Sequence, residues 1–214
     1  MEIVLARHGE TEWSRDMKHT SHSDLPMTEH GRTEAERLRP AFAGRTFERV
    51  LSSPLQRALE TCRLAGLGDQ VETTEDLMEW DYGEYEGITT EEIRKQRPDW
   101  YLWRDGCPGG ESAADVGRRV DRVIAELSTP GSARAAGRFS HSRPERFAHS
   151  GDAAIFAHGH VLRVLTARWL GLGPESGALF KLDTGTISRL GYERATAVVT
   201  GWNSPVPGAE REPR

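Results

Sequence analysis

The chain has 214 residues, and its 28 Lys and Arg against 33 Asp and Glu give a net charge of −5. This length is compatible with a single α/β domain. The acidic balance offers no basic face for nucleic acid and no attraction to an acidic membrane. No apolar run approaches the roughly 18 residues of a membrane span, and no secretory leader pattern is visible. The two cysteines, Cys62 and Cys107, are far apart and indicate reduced thiols, so we expect a soluble cytoplasmic protein.

The first half of the chain alternates strand patterns with helix patterns. The apolar run that opens it is typical of a strand covered on both faces. Thr28 is a candidate N-cap, and proline near a helix start with glycine after its end marks the next helix. The predicted elements are a strand at 2–6, a helix at 28–43, a strand at 49–53, a helix at 54–66 and a strand at 71–79 that leads into a loop.

The second half continues the alternation and closes with a hairpin. Thr89 and Glu92 form a capping-box pattern at a helix start. The predicted elements are helices at 90–97 and 112–127, a buried strand at 153–157, a helix at 161–172 and an edge hairpin within 184–202. Strands separated by helices predict a mostly parallel sheet with helices on both faces, which is a three-layer α/β sandwich.

One domain is predicted over 1–204. Residues 129–151 are rich in Gly, Ala, Ser and Arg and lack large aliphatic side chains, which predicts a surface loop insertion. His141 and His149 in this loop have no Cys or carboxylate partners at ligand spacing, so we predict no metal site. Residues 205–214 are predicted to be a disordered tail.

Two of the buried strands end in a histidine that is followed by a glycine. Arg7 and His8 follow the first strand, and His158 follows the strand at 153–157. Ligands of open parallel sheets bind beyond the carboxyl ends of the strands, where glycine lets the backbone approach closely. Arg57 lies in the first turn of the helix after the second strand and can reach the same crevice. The sequence therefore predicts an anion pocket at this edge of the sheet.

Four stretches carry a resemblance that covers roughly residues 3–200. LARHGETEW, LSSPLQRALETC, LMEWDYGEYEG and FAHGH, in this order and spacing, resemble the histidine phosphatase superfamily, also called phosphoglycerate mutase-like. The resemblance implies the fold of that family and a phosphohistidine intermediate. It implies these roles: His8 as the nucleophile, Arg7, Arg57 and His158 around the transferred phosphoryl group, and Glu79 as the general acid.

The residue types suit this chemistry. A phosphoryl group in transfer spreads negative charge over its oxygens, which guanidinium and imidazole groups stabilise. A neutral imidazole attacks, and a carboxylic acid protonates a poor leaving group. Because the arginines supply the positive charge, we expect neither a metal nor another cofactor. The residue types alone leave other acids open, namely Glu10, Asp81, Glu84 and Glu86, and leave His160 open beside His158; the family pattern favours Glu79 and His158.

The resemblance leaves two rivals to a phosphatase. One is a cofactor-dependent phosphoglycerate mutase, but Ser14 stands where such mutases usually have Asn, and the segment after the acid block lacks their paired arginines. The other is a catalytically inactive binding or regulatory member, against which the complete set of five residues argues. A kinase-fused bisphosphatase is excluded because the chain has no phosphate-binding G-x-x-x-x-G-K-[ST] loop. We therefore expect a metal-independent phosphomonoesterase.

Within the phosphatases, the chain resembles sedoheptulose-1,7-bisphosphatase-like proteins and broad-specificity acid phosphatases. This implies a small phosphorylated substrate such as a sugar phosphate or bisphosphate, and dimers are common in the family. The implied substrate contacts are Ser14, Thr20, Ser21, Tyr82, Gly159 and Arg163. Three further arginines, Arg94, Arg97 and Arg104, are candidates for a second anion site, and the sequence does not say which of them face inward.

Overall fold

The structure, a computed structural model, describes residues 1–128 and 151–205. Six strands form one sheet in the order β3-β2-β4-β1-β5-β6; the first four are parallel, and β5 and β6 run antiparallel to their neighbours. The strands are β1 Ile3–Arg7, β2 Arg49–Ser52, β3 Val71–Thr73, β4 Ala153–Ala157, β5 Ile187–Glu193 and β6 Thr196–Ser204. The predicted loop at 129–151, which includes His141 and His149, lies outside the described residues except for Gly151. The predicted tail at 205–214 also lies outside them, except for Pro205.

Eight α-helices are described. Thr28, Thr89 and Ser112 precede three of them as N-caps, and each side chain accepts a hydrogen bond from the backbone N–H three residues on. The helices are α1 Glu12–Arg15, α2 Glu29–Arg37, α3 Arg39–Phe42, α4 Gln56–Leu64, α5 Thr90–Gln96, α6 Leu102–Asp105, α7 Ala113–Leu127 and α8 Gly159–Trp169. Short 3₁₀ turns occupy Gly68–Gln70, Glu75–Leu77, Gly83–Tyr85 and Pro174–Leu179.

The structure corrects several predicted boundaries. The helix predicted at 28–43 is two helices, α2 and α3, which meet at Leu38 just before a proline in the first turn of α3. The helix predicted at 54–66 begins two residues later because Leu55 is extended. The helix predicted at 161–172 begins earlier, directly after the extended His158. Only the first three residues of the predicted strand at 71–79 are a strand.

Alternating side chains of the sheet belong to two separate apolar cores. Ile3 and Leu5 of β1 pack in one cluster with α7 and α8, whereas Val4 and Ala6 pack in the other with residues of α3 and α4. Each fully buried aliphatic side chain contributes about 1.5–3 kcal/mol to folding. Helices thus cover both faces of the sheet, which confirms the predicted three-layer α/β sandwich.

The register of β1 and β4 places the two histidines side by side. Arg7 pairs with Ala157 at the carboxyl ends of these parallel strands, so His8 and His158 both follow directly. The backbone N–H of His8 donates to Ala157 O at 3.0 Å. Among the helices of residues 1–128 and 151–205, none has the length and apolar composition to cross a bilayer.

Candidate active site

A cleft of about 360 Å³ opens beyond the carboxyl ends of β1 and β4. Its lining residues differ in exposure. The buried His8 and Glu79 and the half-buried Arg7 line one part of it, which we call the catalytic end. The half-buried Lys18 and the exposed Arg94 line another part, which we call the outer end. The cleft therefore extends from a buried group of ionisable side chains to the solvent.

His8 is 5% exposed at the catalytic end, and its ring is fixed in one tautomer. Its Nδ1 lies 2.7 Å from Gly9 O. Because a carbonyl oxygen only accepts, Nδ1 carries the proton, and Nε2 keeps its lone pair. Burial, with the charges of Arg57 and Arg7, holds the pKa of His8 well below its ordinary 6.5. At neutral pH the ring is therefore an uncharged imidazole with Nε2 available for attack.

Arg7 presents an unused donor next to His8. Its Nη1 donates to Leu182 O at 2.5 Å, whereas its buried Nε has no hydrogen-bond partner within the described part of the chain. A buried N–H without a partner is costly, and a bound anion would satisfy it. Gly159 lies against this guanidinium, and a Cβ there would be 3.3 Å from Arg7 Cζ. The glycine thus leaves room for the arginine side chain beside His8.

Arg57 and His158 are bonded to each other behind the lining of the cleft. Arg57 Nε donates to His158 Nδ1 at 3.1 Å. His158 Nε2 must then carry the proton, which it donates to Ser53 Oγ at 2.8 Å. Burial and the charge of Arg57 hold the pKa of His158 well below 6.5. The rings of His8 and His158 are edge to face, with centroids 5.1 Å apart.

The rest of the Arg57 guanidinium holds the loop that follows α1. It donates to the carbonyls of Ser23 at 2.9 Å, Ser21 at 3.1 Å and Thr20 at 3.4 Å. The Glu86 carboxylate holds the same loop, accepting from the backbone N–H of Ser21 at 2.9 Å and from its hydroxyl at 2.6 Å. Arg57 therefore connects the second histidine with a wall of the cleft.

Glu79 is held by the first turn of α8. Its Oε1 accepts from the N–H of Trp80 and Val161, and its Oε2 accepts from the N–H of His160, all at 2.9 Å. Arg119 Nη2 donates to the backbone carbonyl of Glu79 at 3.1 Å. The same guanidinium donates through Nε and Nη2 to the two carboxylate oxygens of Glu111. The carboxyl group thus has a fixed orientation, 7% exposed, in the wall of the cleft.

Tyr82 and His160 form a hydrogen-bonded pair beside Glu79. Burial and the charge of Glu79 raise the pKa of Tyr82 well above its usual range, and burial lowers the pKa of His160 well below 6.5. The neutral phenol and the neutral imidazole are hydrogen-bonded, with Tyr82 Oη 2.6 Å from His160 Nδ1. Next to them, Arg163 lies 4.6 Å over the ring of Trp103, with its Nε on Gly177 O at 3.1 Å.

The structure brings most of the predicted site residues to this cleft. The lining includes Arg7, His8, Ser14, Thr20, Glu79, Tyr82, Gly159, Arg163 and Arg94. Arg57, His158 and Ser21 lie behind it, and the hydroxyl of Ser14 is used in the capping box of α1. Of the arginine candidates for a second anion site, Arg97 and Arg104 are instead exposed and bonded to Tyr85 and Asp105.

Sequence reasoning missed three features of the site. Lys18 lines the outer end, and no spacing rule singled it out. The Arg119–Glu111 pair, which supports Glu79, joins α7 to a loop. In the sequence, only the arginine among the apolar positions of an amphipathic helix could have indicated it. The third feature is the hydrogen bond between His160 and Tyr82, since the sequence offers His160 only as an alternative to His158. Within the described residues, no group of three or more His, Cys, Asp or Glu side chains could hold a metal ion.

The family model of the histidine phosphatase superfamily, branch 1, matches residues 3–205. The chain belongs to this superfamily. Membership confirms the resemblance and the expectation of a phosphatase. The phosphohistidine chemistry of a histidine phosphatase needs a neutral imidazole beside guanidinium groups, and His8 with Arg7 and Arg57 offers this arrangement.

Individual histidine phosphatases agree with this assignment. An acid phosphatase of Mycobacterium tuberculosis is 37% identical over 211 residues, which are 95% of each chain. A sedoheptulose 1,7-bisphosphatase of Saccharomyces cerevisiae is 35% identical over 198 residues, 80% of this chain and 68% of the relative. The solved structure of an open reading frame of M. tuberculosis has a TM-score of 0.81 at 35% identity, covering 94% of this chain and 96% of that one.

Proposed function

We propose that this protein is a metal-independent phosphomonoesterase that acts on a small phosphorylated metabolite, a sugar phosphate or bisphosphate, through a phosphohistidine at His8. One observation carries the proposal. The Nδ1 of His8 is held by Gly9 O at 2.7 Å, which leaves Nε2 as the attacking atom. The unpaired Nε of Arg7, the residue before it, supplies a donor for the phosphoryl oxygens.

In the first step, His8 Nε2 attacks phosphorus. The N–P bond forms as the P–O bond to the leaving group breaks, and Glu79 gives its proton to the leaving oxygen. In the second step, water attacks phosphorus, the N–P bond breaks, and Glu79 takes a proton from that water. Inorganic phosphate and the alcohol are the products. The three backbone N–H bonds to Glu79 support this role because they keep its carboxyl group in one place through both steps.

The remaining groups act by charge and position. Arg7 binds the phosphoryl oxygens directly. Arg57 and His158 act from behind His8: burial, together with the Arg57 guanidinium, keeps the nucleophile uncharged, and the Arg57–His158–Ser53 chain holds the ring of His158 in place. Both nitrogens of His158 are used in this chain, so a contact with the phosphoryl group would require one of its two bonds to be exchanged.

The leaving group occupies the space in front of Glu79. Tyr82, Thr20 and Arg163 line this part of the cleft and offer polar contacts to hydroxyl groups, and Gly159 and Ser14 shape its walls. The N–H and the hydroxyl of Ser21 both donate to the Glu86 carboxylate. Ser21 therefore keeps the loop after α1 in place and does not contact the substrate through these groups. Positioned polar groups of this kind give a small-molecule site its specificity.

We further propose one domain over 1–204 and a cytoplasmic location. The two apolar clusters share one sheet, which supports a single folding unit. Cys62 and Cys107 are free, and burial raises the pKa of each to about 12, so both are unreactive thiols suited to a reducing compartment. A homodimer remains a prediction from the family.

The test is phosphate release in the presence of EDTA from p-nitrophenyl phosphate, sugar monophosphates, sugar bisphosphates and 3-phosphoglycerate. We expect inorganic phosphate from at least one sugar phosphate at an unchanged rate with and without EDTA. Isomerisation of 3-phosphoglycerate without phosphate release, when 2,3-bisphosphoglycerate is added, would identify a mutase instead. No turnover of any substrate would identify an inactive member of the family.

A further inference from the structure

The cleft has more positive charge than the chain around it. Among residues 1–128 and 151–205, four cationic side chains and two carboxylates line it, namely Arg7, Lys18, Arg94 and Arg163 against Glu79 and Asp183. The whole chain, by contrast, has a net charge of −5. A local excess of cations in an acidic protein attracts anions to that place only. The catalytic end accounts for Arg7, which leaves the role of the other cations open.

Of these cations, Arg94 and Lys18 have nitrogen atoms without a hydrogen-bond partner among the described residues, whereas Arg163 is held by the protein. Arg163 is engaged with the Gly177 and Ala178 carbonyls, and its guanidinium lies over Trp103. Arg94 donates only its Nε, to Trp100 O at 3.1 Å. Lys18 has its ammonium 5.9 Å from the ring centre of Trp13. Within the described residues, neither the Arg94 Nη atoms nor the Lys18 Nζ has a hydrogen-bond or ion-pair partner.

The fold brings Lys18 and Arg94 to the same end of the cleft. The backbone of Lys18 forms an antiparallel bridge with Thr89, the N-cap residue of α5. Arg94 lies on α5 itself, one helical turn after Thr90, and both of these residues line the cleft. Residues four apart share a helix face, so the Arg94 side chain follows Thr90 on the face next to Lys18.

The acidic residues of α5 do not neutralise this pair. Glu91 pairs with Lys95 at 3.9 Å, one turn along the exposed side of the helix. Glu92 accepts from the N–H of Thr89 in the capping box, and this hydrogen bond is the main reason that its pKa is lowered; the charge of Lys18 is a weaker cause. Neither carboxylate lines the cleft.

We propose that Lys18 and Arg94 bind a second phosphate group of the substrate, so that the enzyme prefers a bisphosphorylated metabolite to the corresponding monophosphate. The inference rests on the proposed function and narrows its substrate class. One phosphate would lie at His8 and Arg7, while the other would meet the Arg94 guanidinium and the Lys18 ammonium at the outer end. A guanidinium fork with a point charge suits the oxygens of a phosphate dianion.

The test compares kcat/KM for fructose 1,6-bisphosphate with kcat/KM for fructose 1-phosphate and fructose 6-phosphate. We expect the wild type to prefer the bisphosphate by about 10-fold or more, equivalent to about 1.4 kcal/mol. In the double variant Lys18→Gln/Arg94→Gln this preference falls to about 2-fold or less. The control is Lys95→Gln, which removes one positive charge from the helix of Arg94 at a position outside the cleft and leaves the preference unchanged.

Several results would overturn the inference. One is a wild-type preference near unity. Another is an equal loss on mono- and bisphosphates in the double variant, since that would indicate a structural role. If the variant instead loses activity on 3-phosphoglycerate and not on the bisphosphate, the outer end binds a carboxylate and the assignment of a second phosphate is wrong.

Binding separates this inference from the proposed function. If no probe is hydrolysed, the phosphatase assignment fails, but calorimetric titration of the wild type with fructose 1,6-bisphosphate still tests the outer end. Tighter binding of the bisphosphate than of fructose 6-phosphate, lost in Lys18→Gln/Arg94→Gln, would support the subsite in a protein without turnover. Equal binding of both sugars would reject it.

Discussion

The two ends of the cleft are built on opposite principles. At the catalytic end, the side chains of His8 and Glu79 are at most 7% exposed, and each is fixed by backbone hydrogen bonds. At the outer end, Arg94 is exposed and keeps its terminal nitrogens free of protein partners among the described residues. Buried groups with fixed hydrogen bonds hold one geometry, whereas exposed cations adapt to a ligand and exchange water readily.

This difference separates chemistry from selectivity. The catalytic end, with Arg57 and His158 behind it, is built from four separate stretches of chain that hydrogen bonds connect, so a change to one residue disturbs several of these bonds. At the outer end, a substitution such as Lys18→Gln removes one solvated charge and leaves the apolar cores intact. We therefore expect substitutions at the catalytic end to change the rate on every substrate, and substitutions at the outer end to change only the ranking of substrates.

The largest effect is expected from Glu79→Gln. An amide cannot give a proton to a poor leaving group, so kcat/KM on an alkyl phosphate such as fructose 6-phosphate should fall by roughly 10² to 10⁴. The kcat/KM for p-nitrophenyl phosphate, whose leaving group needs no proton, should fall by less than about 10-fold, because kcat/KM covers only the steps up to release of that leaving group. Steady-state assays of both substrates check this.

The matched control is Glu84→Gln, an exposed acid of the same stretch that does not line the cleft. It should leave both rates near those of the wild type. Equal losses on the two substrates in Glu79→Gln would remove Glu79 from the acid role. Thermal unfolding of the variant shows whether its amide tolerates the three backbone N–H donors that surround the carboxylate.

A smaller effect is expected on stability below neutral pH. The pKa values of His8, His158 and His160 are all held well below 6.5 in the folded state, mainly by burial. Below about pH 6.5 the three histidines bind protons in the unfolded chain but stay neutral in the folded one. The free energy of unfolding is therefore fully present above that pH and decreases as the pH falls. Three such groups give a slope of up to about 4 kcal/mol per pH unit.

Urea unfolding between pH 6.5 and 5.5 measures this slope. His160→Gln should reduce it by up to about 1.4 kcal/mol per pH unit. The control His30→Gln removes a histidine whose side chain is 62% exposed and lies outside the cleft, and the account requires a smaller change in slope from it than from His160→Gln. A stability that is flat over this pH range would mean that the buried part of the cleft accommodates charged histidines and does not hold its rings neutral.

Much of the fold and the centre of the site could be predicted because local patterns determine them. Apolar runs followed by Arg7-His8 and by His158 placed both histidines at strand ends, and the register of β1 and β4 confirms that they are neighbours. Capping at Thr28 and Thr89 agreed with the structure because a cap is formed within one helical turn.

The features that were missed depend on contacts between distant segments. Lys18 reaches the cleft because its backbone pairs with Thr89, about seventy positions away, and no periodicity records such a bridge. Arg119 supports Glu79 through α7, and Glu86 holds Ser21 across the loop after α1. The family pattern likewise did not show that Arg57 and His158 lie behind the lining of the cleft.

The central claim is that the phosphoryl group passes through His8. The most direct measurement is to quench the wild-type enzyme at alkaline pH during turnover of p-nitrophenyl phosphate and to locate bound phosphate by tandem mass spectrometry. We predict one phosphate, stable to base and labile to acid, on the peptide that contains His8, and none in His8→Ala. Phosphate on His158, or on no residue while turnover continues at the same rate in His8→Ala, would contradict the mechanism.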